Sequence, residues 1–433
     1  MSSEWPVVPV EDVCELIVDC VNKTAPVVSY ETPFRMIRTT NIRDGRVSLD
    51  SCRFVDGATY EKWTRRAKLQ YGDVLLTREA PIGEVGFVDL PEGLFLGQRI
   101  MQYRANSKVL HPRFLHYVFQ SPSLKHQFGS HEGSGSVVSH IRVGDCFKFK
   151  IPLPPIDVQD GVAELLGALD DRITLLRETK ATLEAIAQAL FKSWFVDFDP
   201  VRAKAEGRQP EGMDATTAAL FPDSFEDSEL GLVPKGWAVG SLGVIAQTAR
   251  RQIQASELHA DVRYVGLEHI PRKSLSLSSW GNADGLESTK SAFSEGDILF
   301  GKLRPYFHKV VLAPFSGVCS TDILVCQPKE REYFGVVAMH LFSETLISYA
   351  DRLSNGAKMP RVNWKDLAAY PIVVPSSDIA AKLNEAIHPL LARMTAGIHR
   401  AQTLTQLRDT LLPRLISGQL RLPEAEVLIE AAV

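Results

Sequence analysis

The strongest constraint in this sequence is that it repeats itself. Residues 69–88 (LQYGDVLLTREAPIGEVGFV) and 292–312 (AFSEGDILFGKLRPYFHKVVL) share a Gly-Asp pair, an apolar run, a basic residue and a second run rich in β formers. Each reads as a hairpin-like pair of strands, since short apolar runs bounded by turn residues favour that pairing. Further on, residues 135–154 and 356–375 align at a constant offset of 221 (356 − 135), and each ends in an apolar strand closed by proline. Trp237 restarts the pattern that Trp5 begins, at a different offset of 232 (237 − 5), so loops differ in length between the copies. A repeat of this kind fixes architecture before any single element is assigned. It predicts two related but unlike domains.

The offset of 221 continues into a helical pattern. Over residues 159–194, Leu166, Leu169, Ile173, Leu176, Leu183 and Leu190 fall at heptad spacing, with Lys180 interrupting once. That is the signature of a coiled-coil seam. In the second copy Ile387, Leu390, Met394, Leu404 and Leu411 keep the register, but Gly397 and Arg408 occupy seam positions and Pro389 lies inside. A kink or late start near Pro389 is therefore predicted. Each helix could pack onto its own domain. Two matched stripes after equivalent domains are better satisfied by each other, antiparallel in a pseudo-twofold molecule. The fold class predicted is mixed α/β (α+β): β-rich globular domains over residues 1–155 and 235–375, each followed by a long helix, over 156–196 and 376–418. The two helices form an antiparallel coiled-coil spacer, with a linker rich in proline, glycine and acid and anchored by a few aromatics over 197–234, and a tail over 419–433.

Composition narrows the function. Net charge is −4, which argues mildly against a nucleic-acid partner until its distribution is considered. Lys+Arg minus Asp+Glu is 19 − 17 = +2 over residues 1–150, 7 − 16 = −9 over 151–230, 16 − 13 = +3 over 231–375 and 6 − 6 = 0 over 376–433. The excess of acid is confined to the middle. Six cysteines, none in a C-x-x-C pair, indicate neither a disulfide framework nor a thiolate zinc site. No targeting leader and no apolar run long enough to span a membrane is apparent, so a cytoplasmic protein is expected.

Two connecting segments are more specific. Residues 190–200 (LFKSWFVDFDP) and 228–237 (SELGLVPKGW) resemble those of the specificity subunits of type I restriction-modification systems, and the order of domain, helix, linker, domain, helix is that family's order. The resemblance implies two target recognition domains, each reading one half of a bipartite, asymmetric double-stranded DNA target, and helices that hold them apart. It also implies two modification (methyltransferase) subunits as partners, with motor-nuclease restriction subunits joining them. No cofactor is expected on this chain; S-adenosylmethionine, ATP and magnesium belong to the partners. A helix of about 36 residues is about 54 Å long at 1.5 Å per residue, the rise of roughly 15 base pairs. A recognition subunit of an orphan or modification-only system fits the same residues, and a stand-alone enzyme is the remaining alternative.

Candidate DNA-binding residues cluster where the copies agree. Arg35, Arg38, Thr39 and Asn41 lie on a predicted strand with side chains able to donate to guanine, phosphate or adenine, although a solvated strand face reads the same way. Arg78 follows one apolar run as Lys302 and Arg304 follow the other. The turns at Ser134-Gly135 and Asn355-Gly356 lack bulk, which suits close approach to a DNA backbone, and each is followed by polar or basic groups: His140 and Arg142, then Lys358 and Arg361. Tyr306 could stack on or wedge between bases, or be buried as β-domain aromatics often are.

Signals for catalysis are weak. Gly296 to Lys302 has the spacing of a phosphate loop, but Leu303 stands where Ser or Thr would hold magnesium, and the residues between read as a strand. The Pro154-Pro155 pair has no preceding carboxamide as a methyltransferase motif needs. The Glu178 and Lys180 spacing found in nucleases lies on the long helix, and the histidines show no metal-ligand spacing. No catalytic and no metal-binding residue is predicted.

Overall fold

In both copies the Gly-Asp pair opens a hairpin, and each hairpin takes the same place in its own four-stranded sheet. The computed structural model describes residues 5–21, 23–130, 140–356 and 358–432. The first four-stranded sheet runs in the order Cys14–Asp19, Ile100–Ala105, Val74–Arg78, Ile82–Phe87, all antiparallel. The second repeats it with Ala246–Thr248, Ile323–Pro328, Ile298–Gly301, Val310–Leu312. Val74 to Thr77 and Ile298 to Gly301 are buried on both faces, which explains why these runs are continuously apolar instead of alternating.

The Gly-Asp pair itself has a structural task. Gly72 and Gly296 adopt φ of 88° and 87°, a left-handed turn that a Cβ would strain. The aspartate that follows is buried and accepts two equivalent bonds in each copy. Gln70 N and Ser294 N donate at 2.7 Å to Asp73 and Asp297, and Gln102 Nε2 and Gln327 Nε2 reach the same carboxylates from the neighbouring strand, also at 2.7 Å. The phosphate-loop spacing at Gly296 is thus a turn and a strand whose amides are engaged in the sheet.

Each domain is closed by pairing of its first and last strands: Val7–Pro9 with Lys150–Pro152, and Ala238–Ser241 with Pro371–Val374. Smaller sheets contain one parallel pair each, Arg35–Ile37 with Leu94–Leu96 and Arg263–Val265 with Gly317–Cys319.

The chain divides into two compact units, Met1–Ile173 with Thr403–Val433, and Thr174–Gln402. Each therefore contains one β-rich domain and part of both long helices, Ile156–Phe195 and Ser377–Ser417. In the first unit Leu166, Leu169, Ile173, Leu404 and Leu411 are buried. Arg408, an apparent flaw in the seam, donates from Nη1 to Asp170 Oδ1 at 2.6 Å, while Tyr117 Oη holds Asp170 Oδ2 at 2.9 Å. In the second unit Leu183, Ile387 and Met394 are buried in one cluster with Leu190 and Leu390 packed against it; Leu176 is half-buried. Lys180 interrupts that seam for a reason: its Nζ donates to Ser274 Oγ at 2.9 Å, and Ser274 in turn bonds the buried Glu184.

Of the two alternatives expected at Pro389, the late start needs correction. The second helix begins at Ser377 and continues through Pro389 without a late start. Pro389 lies on the exposed face, where the carbonyl that loses its partner can turn to water. Residues 197–234, read above as a linker anchored by a few aromatics, carry short elements of their own. They form helices Asp199–Ala205 and Ala215–Leu220 and the hairpin Phe225–Ser228 with Gly231–Pro234. Phe198, Val201 and Phe221 enter the same core as Trp194, Phe195 and Trp237. A few well-placed aromatics bury enough area to order a polar segment.

Candidate nucleic-acid interface

The end of each repeated hairpin is tied to two other chain segments by the same backbone hydrogen bonds. In the first unit Arg78 N donates to Arg99 O at 2.8 Å, and Ile141 N donates to Arg78 O at 3.0 Å. In the second, Lys302 N donates to Asp322 O at 3.0 Å, and Val362 N donates to Lys302 O at 3.1 Å. Positions 78, 99 and 141 therefore correspond to 302, 322 and 362. Arg78 and Lys302 are both basic and Ile141 and Val362 both β-branched, whereas Arg99 stands against Asp322 and the turns beside the frame carry unlike side chains.

In the second unit the predicted residues converge. Arg304, at φ 51°, donates its backbone N to Pro360 O at 2.8 Å and Nη2 to Lys358 O at 3.2 Å. Asn355 and Arg361 exchange both backbone bonds, at 3.0 and 2.9 Å, which closes the turn carrying the exposed Lys358. Lys302 Nζ lies 4.0 Å from Asp322. Arg361 donates Nε to Asp322 Oδ1 at 2.9 Å and Nη2 to Oδ2 at 3.1 Å. Those bonds hold the Asp322 carboxyl below the usual carboxylate range and raise the guanidinium. Tyr306 is 49% exposed and rests edge-on against Phe307, over which Arg272 lies at 4.0 Å. The resulting surface is basic, with one aromatic side chain projecting from it.

The first unit brings fewer of its candidates together. Arg78 Nη1 bonds Ile141 O at 3.0 Å, so Arg78 fixes the segment between His140 and the exposed Arg142. Thr39 Oγ1 donates to Ala80 O at 2.9 Å, attaching the Arg38 turn to the hairpin tip. Arg38 Nη2 is spent on Ser51 O at 2.8 Å. Arg35 lies in the small sheet over the Phe54 ring at 5.6 Å. Ser134 and Gly135 lie outside the described residues.

Asn41 is a correction. It is only 2% exposed; its Oδ1 accepts from Arg38 N and its Nδ2 donates to Ser48 O and Ser51 Oγ. With both Nδ2 hydrogens committed to its own turn, the buried carboxamide has no donor left for adenine N7 and cannot make the bidentate contact. Thr39 likewise anchors a loop instead of presenting its hydroxyl.

Sequence reasoning missed Arg99 and Asp322. Arg99, paired with Glu79 at 2.8 Å, stands at the position of Asp322, so equivalent sites in the two units carry opposite charge. The signal was present only in the register of the strands that follow them, Ile100–Ala105 and Ile323–Pro328. Among the described residues no group of three or more His, Cys, Asp or Glu could hold a metal ion, and no helix is long and apolar enough to cross a membrane.

Comparison with known proteins agrees with this geometry. Residues 2–185 match the family described as the type I restriction modification DNA specificity domain. The chain is 25% identical over 366 residues to the type I restriction enzyme MjaIX specificity subunit of Methanocaldococcus jannaschii, across 82% of this chain and 78% of that protein. It is 24% identical over 400 residues to the HindI specificity subunit of Haemophilus influenzae, across 81% and 87%. A crystal structure of the type I restriction-modification S subunit from M. genitalium shares the fold, with a TM-score of 0.60 at 14% identity over 95% of this chain and 96% of that one.

Proposed function

The chain belongs to the specificity subunits of type I restriction-modification systems, and from that premise we propose that its two units each read one half of a bipartite, asymmetric DNA target for partner subunits that do the chemistry. The observation that carries this reading is one hairpin-end frame built twice and flanked by unlike side chains. A target with unlike halves needs readers of that kind. Lys302, Arg304, Tyr306, Lys358 and Arg361 read or position the second half; Arg78, His140 and Arg142, with Arg99, serve the first.

The chain itself is non-catalytic on this reading. Two modification subunits carry S-adenosylmethionine, and motor-nuclease subunits bring ATP and magnesium. The excess of acid over residues 151–230 disfavours phosphate and supports placing a protein partner there.

Single-molecule sequencing of genomic DNA tests this directly. Cells carrying the gene should show a split methylated motif that disappears when this gene alone is deleted. Methylation unchanged by the deletion would remove the assignment.

A further inference from the structure

Arg361 is held more firmly than a surface arginine needs to be. Its side chain is 43% exposed, yet one whole edge of the guanidinium is bound by Asp322, through Nε at 2.9 Å and Nη2 at 3.1 Å. Its backbone is pinned both ways to Asn355, and Nη1 lies 3.5 Å from Met359 O. Asp322 is anchored in turn, its carbonyl by Lys302 N at 3.0 Å and its own amide to Ser320 Oγ at 3.2 Å. A free arginine on a surface samples many rotamers and meets phosphate as readily as a base. An arginine paired with a carboxylate has lost most of its net attraction for phosphate and most of its freedom. It retains the outer fork, one hydrogen on each of Nη1 and Nη2, and that fork matches guanine O6 and N7.

We propose that Asp322 is a positioning residue that presents the outer fork of Arg361 to a guanine in the half-site read by the Thr174–Gln402 unit. The assignment rests on the DNA-reading function proposed above. The first unit cannot use the same device, because Arg99 occupies the place of Asp322 and is paired with Glu79 at 2.8 Å. The effect of Asp322 is therefore confined to one half of the target.

The test replaces the chromosomal gene with D322N and, separately, with R361K, which keeps the charge and loses the fork. The methylated motif of each strain is read by single-molecule sequencing, with the half belonging to the second unit identified by exchanging that unit's domain. Both variants should relax the same single guanine position, with discrimination there reduced on the order of 10- to 100-fold. The other half of the motif should stay unchanged, which also shows that the chain has folded. A second half-site without guanine, variants that relax different positions, or an even loss of methylation at every site with R361K would overturn the proposal. If D322N does not fold, R361K alone decides it by the same criterion. Methylation that persists after deletion of the gene would instead sink the DNA-reading function on which the proposal rests.

Discussion

His340 shows how a side chain can be excluded from function by its surroundings. It is buried against Phe191 and Tyr370, its Nε2 has no hydrogen-bond partner, and burial pushes its pKa down to about 4. His116 is driven to about 4 as well, again chiefly by burial, although its Nε2 meets Gly45 O at 2.8 Å. Both imidazoles are neutral in the folded protein, whereas in the unfolded chain they take up protons near pH ~6.5. Their contribution to stability is thus complete above that pH and is lost as pH falls from there toward 4, at a slope approaching about 1.4 kcal/mol per pH unit for each. His340→Leu removes one proton acceptor from the unfolded chain. The melting temperature of the variant minus that of the wild type should rise steadily between pH 7 and pH 5; a difference independent of pH would mean that His340 is not neutral when folded. Residue-scale reading from sequence was weakest at this level. Asn41 carried the right chemistry for a base contact and failed because its partners come from residues 38, 48 and 51 in a turn that periodicity does not reveal. Asp322 escaped notice because its role depends on Arg361, which is distant in sequence.

At the scale of elements, the long helices and the repeated hairpins were legible, since heptad spacing and the Gly-Asp turn are local signals. In residues 197–234 the aromatic anchoring was legible, and Phe198 and Phe221 meet Trp237 across the core, but the short helices and the hairpin between those anchors carry no periodic signal. The reason for Arg408 in the seam was not legible either. Its pairing with Asp170 joins the end of the second long helix to the first, and Tyr117 extends the link to helix Pro112–Gln120. Arg408→Ala takes from the largely buried Asp170 carboxylate the guanidinium that donates to it at 2.6 Å. The expected cost is roughly 2–3 kcal/mol, below the ~3–5 of a fully buried pair because both side chains keep some exposure, 16% and 18%. Replacing both Asp170 and Arg408 with leucine should recover most of that loss in a urea titration. If the double variant is as unstable as the single one, the pair holds the helices by more than charge.

At the scale of the whole molecule, the two units repeat a sheet order and a set of backbone bonds while sharing few surface side chains. That combination predicts independent behaviour. Exchanging residues 7–152 for the equivalent domain of a relative should change one half of the methylated motif and leave the other intact, as read by sequencing methylated genomic DNA. A change in both halves would show that neither domain reads alone. The feature that makes such an exchange feasible is the closing strand pair, with Val7 opposite Pro152 in one unit and Ala238 opposite Val374 in the other. Entry and exit of each domain thus lie side by side, on neighbouring strands of one ribbon. A genetic crossover on either side of the segment between them replaces a complete domain without disturbing the helices, so a lineage can acquire a new address in DNA by recombination in one step, with no series of tolerated point mutations in between.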